Sequence, residues 1–254
     1  MLSDVSSPAA PSPRLTIVIP AYNEARYLPR LIDSIEAAKR AWGQGDAAVE
    51  TIVADNASTD GTAEVALARG CRVVPVAKRA IAAARNAGGQ AARGEIVCFV
   101  DADMTIHPKT FGAIEEALAS NGVVGGATGV TLERWSAGLT VTYALFVPLV
   151  WVTRFDTGVV FCRRQGFLAT GGYDETLRVA EDVAFLYVLR KFGRGRRQRL
   201  TRLRGVKAVA STRKFDELGD WHTFTTMPRL ALAHLFRRAE AVREAERYWY
   251  DPGR

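Results

Sequence analysis

Between residues 15 and 100 short apolar runs alternate with helical patterns, and this rhythm leaves few folds open to the chain. Residues 15–20 (LTIVIP), 49–54, 71–76 and 96–100 read as strands buried on both faces. Between them lie a helical pattern carrying Leu28, Leu31, Ile32 and Ile35, a short helix capped by the turn 58–61, and an Ala-rich helix over 79–92. Such alternation predicts an α/β fold with a mostly parallel sheet, right-handed crossovers and helices on its faces. Parallel strands bring their carboxyl ends to one edge. Three of these runs end in polar or acidic residues, which would converge there: Tyr22, Asn23 and Glu24; Asp55 and Asn56; Asp101 and Asp103.

The last pair closes GEIVCFVDADM, an apolar strand that stops abruptly at Asp101, Ala102 and Asp103. Two carboxylates at the end of a buried strand suit a hard divalent cation, and through it a phosphate-bearing ligand. They equally suit a turn at Asp101 with Asp103 capping a helix that Pro108 opens. The residues alone leave both readings open. No GxGxxG follows the first strand and no GxxxxGK[ST] occurs, so the dinucleotide and P-loop readings lose their main support.

Past Asp103, residues 109–120 read as a helix and 123–132 as a strand or hairpin arm. The alternation then stops, and we place a boundary near Thr131. The resulting division is an unstructured tail over 1–13, a first half over 14–130, a second half over 131–227, and a helical tail over 228–254. The second half holds an apolar segment over 139–152, a strand over 157–162, a tight loop with Gly171 and Gly172, and a helix that begins at Glu181 and Asp182. Two acids at a helix start also simply complement its dipole.

With 254 residues, 48% of them hydrophobic, the chain can bury a sizeable core. A net charge of +7 and a pI near 9.6 fit an anionic substrate or membrane surface, but no nucleic-acid-binding signature appears. Cys71, Cys98 and Cys162 are far apart, odd in number and set in apolar runs, which predicts buried thiols in a reducing compartment. The first residues lack the features of a signal peptide, and the segment 139–152 is too short to span a bilayer. The expected location is cytoplasmic, peripheral at the inner membrane face if the apolar segment and the Arg-rich run 190–207 rest on anionic lipid. By default that run is a solvated face.

Taken in order, IVIPAYNE, VADNASTDGT, RNAGGQAARGEIVCFVDADM, GGYDE and AEDVAFLYVLR resemble the motifs of family 2 glycosyltransferases over residues 15–193. The resemblance implies the GT-A fold, a Rossmann-like, mostly parallel sheet followed by a more variable acceptor-binding half. It implies transfer of a sugar from a nucleotide diphosphate sugar, usually a UDP sugar, with Mn²⁺ or Mg²⁺ and mostly with inversion. A retaining enzyme, a nucleotidyltransferase and a non-catalytic sugar-nucleotide binder are the alternatives.

By the same resemblance Pro20, Ala21, Tyr22, Glu24 and Asp55 would hold the nucleoside, and Arg85 and Arg79 would lie near the base or diphosphate. For Arg79 a solvated helix face is an equal alternative. Asp101 would contact ribose or a metal-bound water, Asp103 would ligate the cation, and Ala102 between them would belong to the nucleotide-sugar site. Asp182 would be the catalytic base, with Glu181 orienting it or touching the acceptor. Gly171 and Gly172 would let backbone approach the sugar. Arg213 and Lys214 would close over the diphosphate, and His222 would complete the metal shell, unless it is an ordinary packed or surface histidine. The acceptor would be lipid-linked or membrane-near, and the tail helices would pack on the core or on a second subunit.

Overall fold

All four apolar runs form strands in the computed structural model, which describes residues 12–153, 155–177 and 180–221. β1 (Leu15–Ala21), β2 (Val49–Asp55), β3 (Arg72–Pro75) and β4 (Ile96–Phe99) are parallel neighbours. β5 (Val123–Leu132), β6 (Val160–Arg163) and β7 (Arg199–Ala210) extend them into one seven-stranded sheet of order β3-β2-β1-β4-β6-β5-β7. β6 runs against both of its neighbours, whereas β7 is parallel to β5. The fold is therefore α/β with a mixed, mostly parallel sheet. Position 131 lies within β5, so the sheet runs unbroken through the two halves.

Helices cover both faces. α1 (Leu28–Trp42), α2 (Thr62–Ala68) and α4 (Thr110–Ala119) bury Leu31, Ile35, Ala66, Phe111 and Ile114 against one side. α3 (Ile81–Ala91), α6 (Arg164–Thr170) and α7 (Glu181–Arg194) bury Ala82, Phe167, Phe185 and Leu189 against the other. α3 lies unusually close to the sheet. A Cβ on Gly88 would sit 2.3 Å from Val18 Cγ1 and one on Gly89 2.5 Å from the Phe167 ring, so only glycine allows this approach. The close contact carries Arg85 and Asn86, on the preceding turn of α3, into the interior beneath the sheet's carboxyl edge.

Residues 123–132 form a strand, one of the two forms expected, and the apolar segment 139–152, for which the sequence predicts no element, lies inside the helix α5 (Ala137–Thr153). The Arg-rich run 190–207 is not simply a solvated face: after the end of α7 it enters β7, the sheet's edge strand, which turns Leu200, Val206 and Ala208 inward. Edge strands tolerate such charge because one side of the ladder meets solvent. The cysteines are free and buried, as expected. No helix among the described residues is long and apolar enough to cross a membrane. His222 and the tail over 228–254 lie outside the described residues, as do residues 1–11 of the expected leading tail.

Candidate active site

The ends of β1, β2 and β4 meet at one edge, and hydrogen bonds between loops fix them there. After β1, Asn23 adopts a positive φ of 54°, donates its N–H to Ser58 Oγ (3.0 Å) and accepts the Thr59 N–H at Oδ1 (2.8 Å). The Glu24 N–H donates to Thr62 Oγ1 at 2.9 Å. After β2, Asp55 accepts the Ser58 N–H, and buried Asn56 donates to the carbonyls of Val76 and Lys78. The Arg79 guanidinium stands 3.9 Å from the centre of the Tyr22 ring, giving this end of the edge a flat cationic wall.

Arg85 occupies the centre of the acidic part. Its side chain is 3% exposed, with Nη2 2.7 Å from Asp101 and 3.0 Å from Asp182, and Nη1 2.6 Å from Glu181. A segment distant in sequence thus joins the acids after β4 to those opening the helix α7. Tyr173 closes the group from the side: its ring stacks on Phe185 at 4.4 Å and lies edge-on to Phe99 at 5.1 Å, with the Arg85 guanidinium 5.2 Å from its centre. Asn86 holds the Tyr173 loop by accepting its N–H (2.8 Å) and donating to its carbonyl (2.9 Å) and to Glu175 (3.0 Å).

Burial pushes the Asp182 carboxyl up to about 7; the Arg85 charge opposes this, while Asp101 and Glu181 add to it. Oδ1 of Asp182 is buried without a hydrogen-bond partner. A carboxylate so placed is easily protonated near neutrality, as a general base must be.

Arg213, at the start of α8 (Arg213–Leu218), lies across the other pair of acids. It donates to both oxygens of Glu24 at 2.8 and 2.6 Å and brings Nε to 3.2 Å from Asp103. Burial raises the Glu24 pKa, and Arg213 counters the shift. Beside Arg213 a cavity of about 530 Å³ opens, lined also by Arg26, Tyr27, Arg30 and Arg134. Five carboxylates (Glu24, Asp101, Asp103, Glu181 and Asp182) thus face two guanidiniums, Arg85 and Arg213, at this edge. The excess negative charge and hard oxygen donors fit a divalent cation. Among the described residues no three carboxylate, histidine or cysteine groups converge tightly enough to hold one by themselves. A cation at these acids would need further donors, and oxygens of a bound diphosphate are of the right kind.

The model of the family described as "Glycosyl transferase family 2" matches residues 16–162, more than half of the chain. The chain belongs to glycosyltransferase family 2. An uncharacterized glycosyltransferase of Nostoc sp. is 33% identical over 118 residues, 44% of this chain and 35% of that protein. The undecaprenyl-phosphate 4-deoxy-4-formamido-L-arabinose transferase of Pseudomonas paraeruginosa is 36% identical over 112 residues, 41% of this chain and 32% of its own length. The matches thus span about a third of each of these relatives.

Among solved structures, a mannosyltransferase from Pyrobaculum calidifontis in complex with GDP-Man and Mn²⁺ has a TM-score of 0.67 at 23% identity, covering 94% of this chain and 67% of that one. Glucosyl-3-phosphoglycerate synthase from Mycobacterium tuberculosis, in complex with Mn²⁺, UDP and phosphoglyceric acid, gives 0.59 at 23% identity over 88% and 78% of the two chains. These likenesses establish the GT-A fold.

The predicted residues fall into three groups. Tyr22, Asp55 and Arg79 line one end of the edge, Glu24, Asp103 and Arg213 meet in the middle, and Asp101, Glu181 and Asp182 gather on Arg85. Arg85 is buried among acids. Gly171 caps α6 and Gly172 packs on Asn86 and Phe167. Sequence reasoning missed Tyr173 and Asn86 as parts of the site. The signal was available in their positions, inside GGYDE and directly after Arg85.

Proposed function

We propose that this chain transfers a sugar from a nucleotide diphosphate sugar, a UDP sugar in the first instance, to an acceptor hydroxyl by a single displacement with inversion. The observation that carries the reading is the Arg85 cluster: one buried guanidinium holds Asp101, at the donor edge, and Asp182, a base candidate, against each other. Donor and base are then fixed by one rigid element, which is what an in-line attack requires.

In this reading Asp55 accepts the uracil N–H, while Tyr22 and Arg79 flank the base; the backbone of Pro20 and Ala21 supports the nucleoside, and Glu24 shapes the pocket beside it. Asp103 and Asp101 would hold Mn²⁺ or Mg²⁺, and a bound cation would offset the charge on the departing diphosphate, while Ala102 lies between them in the nucleotide-sugar site. Arg213 leaves Glu24 and Asp103 for the diphosphate, and Lys214 follows it in sequence. Asp182 removes the acceptor proton as the hydroxyl oxygen bonds to the anomeric carbon and the bond to the phosphate oxygen breaks. Glu181 stays on Arg85 and orients Asp182, and Gly171 and Gly172 lie on the acceptor side. The Pseudomonas relative named for undecaprenyl phosphate supports a lipid-linked acceptor.

A thermal-shift screen of UDP- and GDP-sugars, with and without Mn²⁺, tests the donor half. A metal-dependent rise in Tm with one UDP sugar is expected. No shift with any nucleotide sugar would remove the reading. Transfer or slow hydrolysis of that donor, lost in Asp182→Asn, separates an enzyme from a mere binder.

A further inference from the structure

α5 carries no charged residue from Ala137 to Thr153. One flank of it is committed to the fold: Leu139 and Thr142 are buried, and the Tyr143 hydroxyl donates to the Val130 carbonyl of β5. The other flank starts at Gly138, where a Cβ would lie 2.9 Å from the Asp220 carbonyl, and continues three and seven residues on to Val141 and Leu145. Those two are 47% and 63% exposed. Trp135, just before the helix, and Trp221, just after Asp220, are 51% and 54% exposed. The Trp135 ring also lies edge-on to Tyr143 at 5.1 Å, so both indoles are only half exposed, and large apolar side chains such as Val141 and Leu145 that face water need a reason.

The far end of the helix supplies a second observation. Just beyond it, buried Asp156 pairs with Arg202 of β7, and Arg204 and Lys207 also act on its carboxyl, so these three cations stand close to where α5 ends. Arg204 and Lys207 are exposed on the edge strand. From 190 to 207 the chain has nine Lys and Arg residues and not one acid. Asp156 offsets part of this charge, and the acid-free sequence of the run leaves it basic on balance.

Position matters as well. α5 leaves the carboxyl end of β5 and leads to the start of antiparallel β6, and both lie at the sheet edge that holds Asp101 and Asp103. We propose that α5 and the adjoining basic edge of β7 form a docking surface for an anionic phospholipid bilayer, with Val141, Leu145 and the two indoles entering the interface and Arg204 and Lys207 meeting the headgroups. Basic side chains beside apolar and aromatic ones form the combination that an anionic interface binds. A polyanion such as RNA would answer the cations and leave the apolar flank in water. Docking in this way would turn the catalytic crevice toward the lipid surface. The inference goes beyond the donor reading and does not need it, because its test measures no transfer.

The experiment is co-sedimentation of the full chain with vesicles of phosphatidylcholine alone or mixed with phosphatidylglycerol, at low and high salt. The wild type is expected to pellet with the anionic vesicles at low salt, to be released by salt, and to ignore the neutral ones. Arg204→Gln with Lys207→Gln should weaken partition by about fivefold per charge removed. Val141→Asp with Leu145→Asp should abolish it. Both double variants should keep the wild-type circular dichroism and nucleotide-induced Tm shift. Three results would overturn the proposal: no pelleting while nucleotide still stabilises the chain; retention of single-stranded RNA but of no vesicle; or a dimer in light scattering that Val141→Asp with Leu145→Asp splits, without lipid binding. If nucleotide binding fails while vesicles still pellet, the donor reading falls and this one stands.

Discussion

Arg85 and Asp182 meet at 3.0 Å in the interior, where the arginine side chain is 3% exposed and the carboxylate side chain 15%. The same guanidinium serves Asp101 and Glu181, so a single cation touches three acids. Arg85→Ala removes the cation from all three and leaves Glu181 and Asp182 facing each other in a largely buried setting. The expected loss is ~3–5 kcal/mol at neutral pH, the usual result of breaking a buried ion pair from one side. Urea unfolding measures it. Arg85→Lys should recover part of the stability, since an ammonium keeps the charge but cannot reach three carboxylates with a planar fork. A loss under ~1 kcal/mol for the alanine variant would mean that the acids are solvated.

Asp182 should disclose itself through pH. Its carboxyl ordinarily titrates at 3.8 and in the fold is pushed up to about 7, first by burial. A raised carboxylate favours the folded state below its unfolded pKa, and the benefit is lost as pH rises through the folded one. Asp182→Asn cannot ionise. The variant should therefore gain on the wild type as pH goes from 4 to 7, by up to ~1.4 kcal/mol per unit. Transfer in the same variant should fall about 10²–10⁴-fold. Parallel thermal melts from acid to neutral pH would refute the shift, and undiminished turnover would refute the role as base.

Arg213 and a divalent cation call on the same carboxylate. With Nε 3.2 Å from Asp103 and two hydrogen bonds to Glu24, Arg213 partly neutralises the oxygens a metal would need. Arg213→Ala should bind Mn²⁺ alone more tightly than the wild type, and transfer should nonetheless fall because the diphosphate loses a cation. Calorimetry with Mn²⁺, then with UDP and Mn²⁺ together, separates the two effects. Weaker binding of Mn²⁺ alone would show that the arginine does not compete.

Much of this edge was legible in the chain because its signals are local. An apolar run that stops at Asp101 or Asp55 declares both a buried strand and the side on which it ends, and Glu181 and Asp182 declare a helix start. The partners of those acids were not legible. Arg85 lies in a stretch of alanines and glycines that reads equally well as a solvated helix; only the close approach of Gly88 and Gly89 to Val18 and Phe167 puts it inside. Nor was β7. Its arginines alternate imperfectly with Leu200, Leu203, Val206 and Ala208, and a shift in register near Thr128 and Gly129 of β5 disrupts the two-residue period by which a strand is recognised. α6, seven residues long, carried too little periodicity to be seen.

Gly171 and Gly172 are neighbours with nearly the same backbone, φ of +82° and +77°, but different surroundings. A side chain at Gly171 would meet nothing within 4 Å, whereas a Cβ on Gly172 would lie 2.4 Å from Asn86 Oδ1 and 3.0 Å from the Phe167 ring. Gly171→Ala should therefore cost only the left-handed backbone penalty of ~1–2 kcal/mol. Gly172→Ala bears that penalty and also pushes Asn86 off the Tyr173 backbone, adding ~1–3 kcal/mol of overpacking. Because Asn86 directly follows Arg85, the second variant should also lower transfer while the first leaves it near the wild-type level. Donor binding, which uses the ends of β1 and β2, should survive in both. Urea unfolding, a UDP titration and a transfer assay on the pair test this directly, and equal stability losses would mean that the Tyr173 loop is not held by Asn86.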